Sequence, residues 1–475
     1  MKQKKALLFL LLLLATNLLA QNSKRPLYKA TEASLSKRPT PTWYGNAKLG
    51  IFIHWGLYSV PAWATPYGTP DTVTNWKAFY TNNPYAEWYL NSLRIAGSPT
   101  DIHHAKKYGA GFDYYNFKDS LQQKTTNWNA DKWATIIKAT GAKYVVVTSK
   151  HSDGYMMYPS KVKHPFLPAR QINSPQDFIG KIAKAVRAKN IKMGVYYSGG
   201  LDWSFTTKPI TNLWPDLFEA MPASQAYAKY ADAQFHEIIS RYKPDILWDD
   251  VNYPKGKKVL AVFAHLFNAN QNAVINDRWN QYPTLYNFTT PEYSVPDSTV
   301  LKKWETCRGI GFSFGYNRVE TDKQLLSSKE LINLLVDIVS KNGNLLLNVG
   351  PDAAGNIPDN QLSRLKDLGS WMQINSDGIY GTHPWKKTSA VLKDGTALRF
   401  TKKQDNLYVF LLKQPSTGSI VINDCEASAN TTVTLFGKEN QPLQFSQKNG
   451  YITINLPSNV DYIFASMIKL THISQ

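Results

Sequence analysis

The feature that most limits the folds open to this chain is a unit that recurs from about Trp43 to Pro384. Each copy is an amphipathic helix, a short turn, then a buried apolar strand ending in polar or aromatic residues. The strand Leu49 to His54 opens the series. Asp131 to Thr140 predicts a helix with Trp133, Ile136 and Ile137 on one face; Gly141 stops it, and Tyr144 to Thr148 runs on as a Val-rich strand. Phe178 to Val186 with Ile191 to Tyr197, Tyr227 to Tyr242 with Asp245 to Asp250, Val259 to Phe267 with Ala273 to Ile275, and Leu331 to Val339 with Leu345 to Val349 repeat the pattern. Strands that are apolar throughout, rather than alternating, must be covered on both faces, and helices between them imply a parallel sheet. So many units in about 340 residues predict an α/β fold of the (β/α)8 (TIM-type) barrel class. No Gly-rich dinucleotide fingerprint follows the first strand, which removes the main reason to prefer an open sheet.

After Thr388 the texture changes. Short strand-like runs at Ala397 to Lys402, Asn406 to Leu412, Ser419 to Ile422, Thr431 to Phe436, Tyr451 to Leu456 and Tyr462 to Ile468 are separated by Asp, Gly, Asn and Pro turns, predicting an antiparallel β-sandwich. Its turns carry no aromatic cluster, so it reads as a structural cover for the barrel rather than a glycan reader. At the other end, Lys2, Lys4 and Lys5 precede the apolar run Ala6 to Leu14, and Ala20 offers a small residue for cleavage, the pattern of a signal peptide. The run is shorter than the about 20 residues that a membrane span needs. The expected organisation is a signal peptide over 1–20, a catalytic barrel over 21–384 and a β-sandwich over 385–475, in a protein that is exported to the periplasm or secreted. Two cysteines, Cys307 and Cys425, are too few for a disulfide framework and are expected as free buried thiols.

The formal charge of +19 raises the question of nucleic acid, but Lys and Arg are scattered, with no long run and no basic helix stripe. A solvated basic surface is the better reading, and no nucleic acid partner is expected. The 14 Trp and 27 Tyr suit a protein that handles sugars, whose apolar ring faces stack on aromatic side chains, although aromatics also fill cores.

Barrel chemistry sits at the C-terminal ends of the strands. Here those ends read His54-Trp55, Lys150-His151-Ser152-Asp153, Tyr196-Tyr197-Ser198, Asp249-Asp250 and Asn276-Asp277-Arg278, which together describe one polar rim. His54 and His151 stand alone, without the short His or Cys spacings of a metal site, so neither a metal nor another cofactor is expected. His103-His104 falls in a loop-like stretch and reads as surface. Hydrolysis of a glycosidic bond needs two carboxyl groups, and Asp250 suits the ionised one. Alternation along Asp245 to Asp250 puts Trp248 and Asp250 on one face and Asp249 on the other.

Seven segments then carry a resemblance. Gly50 to Gly56, Ala86-Glu87-Trp88-Tyr89, Lys150 to Tyr155, Gly194 to Ser198, Leu247-Trp248-Asp249-Asp250, Asn276-Asp277-Arg278-Trp279 and Arg308 to Asn317 stand in the order found in glycoside hydrolase family 29, the α-L-fucosidases, which this chain resembles as far as about Gly381. The trailing β-sandwich matches that family's second domain. The resemblance implies a retaining hydrolase of terminal α-L-fucose on oligosaccharides or glycoconjugates, with Asp250 as nucleophile. It implies sugar contacts from His54, Glu87, Trp88, His151, Tyr197 and Arg278, with Trp248 beside Asp250 and Phe314 near the sugar methyl group.

The family supplies its acid/base from a variable region, where this chain offers Glu292 and Glu305. Glu292 lies on a loop that can close over a leaving group and is favoured; Glu305 could instead pair with Arg308 as a structural carboxylate. One departure is Ser152, where the family commonly has a second consecutive histidine. The rival readings are a non-catalytic fucose-binding protein on the same scaffold and a glycosidase for a related sugar such as galactose.

Overall fold

The computed structural model describes residues 27–437, 439–457 and 463–474, so the predicted signal peptide lies outside the described residues. Among those residues seven parallel strands form one curled sheet: β1 (Leu49–Ile53), β2 (Tyr144–Lys150), β3 (Lys192–Ser198), β4 (Ile246–Asp250), β5 (Val274–Ile275), β6 (Trp304–Gly309) and β7 (Gly343–Val349), in the order β5-β4-β3-β2-β1-β7-β6. The predicted helices recur as Ala130–Ala139, Phe178–Ala188, Gln225–Tyr242, Leu260–Ala269 and Ser328–Ser340. Their N-termini are set by side chains that satisfy orphan N–H groups: Asn129, Asp177, Ser224 and Ser327 all accept from the first turn, the last in a capping box with Glu330.

The edges β5 and β6 are bridged by an extended segment, residues 287–293. On one side the Asn287 N–H donates to Ile275 O at 3.0 Å. On the other, Thr289 N to Lys303 O, Glu305 N to Thr289 O, Cys307 N to Pro291 O and Tyr293 N to Cys307 O continue the ladder along β6. This segment is the eighth stave. It is irregular because Pro291 has no N–H to donate and Tyr293 adopts φ 53°. β6 itself, which carries Glu305, escaped the sequence reading because Trp304 to Gly309 lacks an apolar run.

Two cores follow from strand alternation. Ile51, Ile53, Val145, Val147, Val195, Leu247, Leu345 and Leu347 face the helices, while Phe52, Tyr144, Val146, Tyr196, Ile246, Trp248, Val274 and Leu346 fill the barrel. The floor is closed by the helix Thr42–Ala47, whose Tyr44 stacks on Phe288 at 4.5 Å. Glu305 lies in that floor, fully buried. It accepts hydrogen bonds from Tyr44 Oη at 2.8 Å, Tyr144 Oη at 2.5 Å and Trp248 Nε1 at 3.2 Å, so its partners are these three donors rather than Arg308. Arg308, three positions along and therefore of opposite parity, lies over the Tyr293 ring.

Burial pushes the Glu305 carboxyl up to about 7 against the pull of those donors. A carboxyl raised in the folded state binds its proton more tightly there than in the unfolded chain. Its contribution is therefore complete below the usual carboxylate range and lost as pH rises through about 7. The melting temperature should fall between pH 5 and 8, and Glu305→Gln should flatten that fall, by at most about 1.4 kcal/mol per pH unit for one proton. Parallel melting curves of the two proteins across that range would refute the assignment.

The C-terminal strands form a six-stranded antiparallel sheet, which includes His383–Val391, Ala397–Lys403, Asn406–Leu411, Val433–Leu435 and Ser466–Leu470, and a three-stranded sheet of Ser419–Asn423, Tyr451–Asn455 and Phe445–Lys448. Leu398, Phe400, Val409, Ile420, Ile422, Ile452 and Ile454 pack between them. The strand His383–Val391 runs across the expected domain boundary at 384/385. The sheet docks on the barrel through Trp371, whose Nε1 donates to Ala465 O at 2.7 Å, and through Gly378, where a Cβ would meet Met467, Phe410 and Tyr408. Cys307 and Cys425 are free and buried, as expected.

Candidate active site

At the C-terminal rim of the barrel a cleft of about 260 Å³ opens. Its floor is built one residue per strand. His151, following β2, stacks on Tyr196 of β3 (5.6 Å, 8°), Tyr196 stacks on Trp248 of β4 (5.5 Å, 26°), and the Arg278 guanidinium lies 4.7 Å over the Trp248 ring. In-register pairing of β3 with β4 causes this, because Tyr196 stands opposite Trp248 and neighbours in a parallel pair point the same way.

The same register corrects one expectation. Tyr197 is opposite Asp249, so it faces the helices: its hydroxyl donates to Gln234 Oε1 at 2.6 Å and its ring packs on Phe235, fully buried and outside the cleft. Tyr196 holds the cleft position assigned to Tyr197, and a parity count from Trp248 across to β3 would have found it. Asp249 is likewise turned away and fully buried, while Asp250 reaches the cleft.

Arg278 joins two carboxylates. Its Nη1 donates to Asp250 Oδ1 at 2.9 Å and its Nη2 to Glu292 Oε2 at 3.1 Å, while Nε is fixed by Thr290 Oγ1 at 3.0 Å. The remaining oxygens are also held: Tyr196 Oη donates to Asp250 Oδ2 at 2.8 Å, and Tyr85 Oη to Glu292 Oε1 at 3.0 Å. Two carboxylates that would repel each other are thus kept in one cleft by a single guanidinium whose fork suits paired carboxylates.

The opposite wall supplies neutral polar groups. Asn348 Nδ2 donates to Phe314 O at 2.6 Å, so Asn348 Oδ1 is the acceptor for His54 Nδ1 at 2.7 Å. That assigns the proton of His54 to Nδ1 and leaves Nε2 as an acceptor. Burial pushes His54 down to about 4 and His151 well below its ordinary value, so both are uncharged imidazoles near neutral pH. Burial also raises Glu87 to about 7, although the Gly315 N–H, 2.7 Å from Oε2, opposes the rise. Gly315 is required here, since a Cβ would stand 2.9 Å from the Tyr58 ring and 3.2 Å from Glu87 N.

His54, Glu87, Trp88, His151, Trp248, Asp250, Arg278, Glu292 and Phe314 therefore all line one cleft. Glu305 lies beneath Trp248 in the floor and does not. Ser152 sits behind the wall, its Oγ 3.1 Å from Ser198 Oγ. Lys150 is spent on a fully buried ion pair with Asp202 at 2.7 Å. His104 is not a surface residue: it lies in the helix Pro99–Tyr108, buried, between Tyr89 Oη and Phe112 O. The sequence reading also missed the apolar collar of Trp76, Phe79, Tyr80, Tyr85, Leu213 and Leu217. Trp76, Phe79 and Tyr80 come from the short helix Trp76–Thr81 in the excursion after β1, and Leu213 and Leu217 from the excursion after β3, both outside the repeating helix–strand units; the aromatic density of Trp76 to Tyr89 was the available signal.

A (β/α)8-like barrel with two carboxylates around an aromatic-walled cleft at the strand ends is the architecture of a glycoside hydrolase. The chain belongs to the α-L-fucosidase family: the family description "Alpha-L-fucosidase" matches residues 13–377, and "Alpha-L-fucosidase C-terminal domain" matches residues 394–471. Similar proteins include the α-L-fucosidase of Dictyostelium discoideum, 32% identical with 95% of each chain covered. The human tissue α-L-fucosidase is 29% identical, with 98% of this chain and 97% of the other covered. The crystal structure of a Thermotoga maritima α-fucosidase in complex with fucose is 41% identical and covers 94% of this chain and 100% of its own at a TM-score of 0.83.

Proposed function

We propose that this protein removes terminal α-L-fucose from fucosylated glycans by double displacement with retention at the anomeric carbon. Asp250 attacks the anomeric carbon while Glu292 gives its proton to the departing glycosidic oxygen, forming a fucosyl ester on Asp250. Glu292 then takes a proton from the water that cleaves the ester and releases fucose. The observation that carries this reading is Arg278, which holds Asp250 and Glu292 at once. One guanidinium bonded to both carboxylates keeps them close enough to act on a single glycosidic bond, as a double displacement requires.

The sugar hydroxyls would meet His54 Nε2 as acceptor, His151 and Glu87, with Trp88 and Phe314 against the apolar parts. Phe314 packs between His54 (5.0 Å) and Tyr293 (5.4 Å), which gives that corner an apolar surface suited to a methyl group rather than a hydroxymethyl. This favours fucose over galactose. The amino-terminal Lys-rich and apolar segment supports export as part of this proposal. No helix of the described residues is long and apolar enough to cross a membrane.

Release of fucose from an aryl α-L-fucoside, with the first-formed anomer read by proton NMR, tests the reading. Initial α-fucose supports it, whereas initial β-fucose or no turnover refutes it. The Tyr196 hydroxyl orients Asp250, and a hydrogen bond to a charged group contributes about 1.5–3 kcal/mol. Tyr196→Phe should therefore lower kcat/KM about ten- to hundredfold with an unchanged circular dichroism spectrum. Wild-type kinetics would remove Tyr196 from the mechanism.

A further inference from the structure

Asn348 is buried in the barrel and does not line the cleft, yet both ends of its amide are bonded to residues that do. It stands on β7 opposite Phe52 of β1, and strand alternation points it, like Leu346, into the barrel. Asn344, four residues earlier on the same face, shows what a purely structural amide does here. Its Nδ2 donates to Tyr44 O at 2.9 Å in the floor, and its Oδ1 is buried without a hydrogen-bond partner among the described residues. Asn348 leaves neither end idle: Nδ2 donates to Phe314 O at 2.6 Å, and Oδ1 accepts from His54 Nδ1 at 2.7 Å.

The first of these bonds has a counterpart. Phe314 O and the Gly315 N–H belong to one planar peptide group; Asn348 holds the oxygen, and Glu87 Oε2 accepts from the N–H at 2.7 Å. A peptide plane clamped at both ends fixes the direction in which the Phe314 side chain leaves the backbone. Gly350, two residues beyond Asn348, lets the strand end pass close beneath, since a Cβ there would stand 2.7 Å from Phe314 O. The second bond sets the sense of His54, with the proton on Nδ1 and the lone pair on Nε2. Of the groups whose charge reaches His54, Asp250 and Arg278 oppose each other and His151 is itself uncharged, so the bond to Asn348 selects the tautomer.

The two residues held in this way are neighbours, with the His54 and Phe314 rings 5.0 Å apart. Rings so close together can read substituents on adjacent carbons of one pyranose, and in fucose the C5 methyl has the C4 hydroxyl beside it. We propose that Asn348 is a positioning residue that sets fucose specificity: one amide fixes His54 as acceptor for the hydroxyl beside the methyl and holds Phe314 against the methyl itself. The proposal rests on the fucosidase reading of the cleft and deepens it, because recognition of the two substituents becomes a coupled property of a residue that touches neither.

The test compares three aryl glycosides: the α-L-fucoside, its analogue without the C4 hydroxyl and its analogue without the methyl. Asn348→Ala should lower kcat/KM about hundredfold on the fucoside but only about tenfold on either analogue, since part of what the variant loses the analogue has already given up. Wild-type kinetics on the fucoside, or a loss by the same factor on all three substrates, would overturn the proposal. Asn348→Asp provides a check that does not depend on the alanine variant folding. As a neutral acid it can donate to Phe314 O and still accept from His54; as a carboxylate it sets a negative charge against that carbonyl and draws a proton onto His54. Its activity relative to wild type at the same pH should therefore be highest near about pH 5 and fall at least about tenfold by about pH 8. A ratio that stays constant with pH would overturn the role of Asn348 and leave the fucosidase reading intact, whereas failure of the wild-type protein to cleave the fucoside would overturn both.

Discussion

Replacing Asp250 with glycine should lower kcat on an aryl α-L-fucoside by roughly ten-thousand-fold or more, the scale on which enzymes lose activity when the nucleophile is removed. The fold should survive, because Arg278 keeps Glu292 as an ionic partner and no charge is left buried alone. Removal of the side chain also opens space on the attacking face beside Tyr196 and Trp248. Azide can enter there and attack the anomeric carbon directly, with inversion, so the rescued reaction should yield β-fucosyl azide. The stereochemistry makes the experiment decisive, since a variant that had merely lost structure would show no azide dependence. Full activity without azide would sink the assignment of Asp250.

Most of the frame was legible in the sequence because burial and periodicity are local signals. The run Tyr144 to Thr148 has to be a strand covered on both faces, and alternation along Ile246–Asp250 separates Asp250 from Asp249 without any structure. What stayed hidden depends on register or on chain segments that meet only in space. Tyr196 and Tyr197 differ by one position, and only pairing with β4 says which one faces Asp250. Glu305 looked like a second candidate acid because Tyr44 and Tyr144, which occupy it, are far away in the sequence. The eighth stave was invisible for a related reason. Residues 287–293 are extended only because β5 and β6 offer edges to pair with, and a proline and a residue at positive φ conceal that in the sequence. Glu292 owes its position to this irregular stave.

Glu292→Ala should produce a leaving-group signature rather than a uniform loss. Glycosides with poor leaving groups, such as fucosyl disaccharides, need protonation of the departing oxygen, and their kcat/KM should fall by about 10²- to 10⁴-fold. An activated aryl fucoside leaves without that proton, so formation of the fucosyl ester on Asp250 should proceed at nearly the normal rate. Turnover should then stall at hydrolysis of the ester, where the water has lost its base, and a burst of phenol should appear. Azide needs no base; it should react with the ester on the face opposite Asp250 and give α-fucosyl azide, the opposite anomer to that expected from Asp250→Gly. Glu305→Gln supplies the contrast: with its carboxylate in the floor, bound to two tyrosines and Trp248, any loss of activity should be the same for every leaving group. If leaving-group dependence followed Glu305→Gln while Glu292→Ala left disaccharide kinetics unchanged, the acid/base role would have to move to Glu305, and the bridge from Arg278 to Glu292 would be a structural ion pair only.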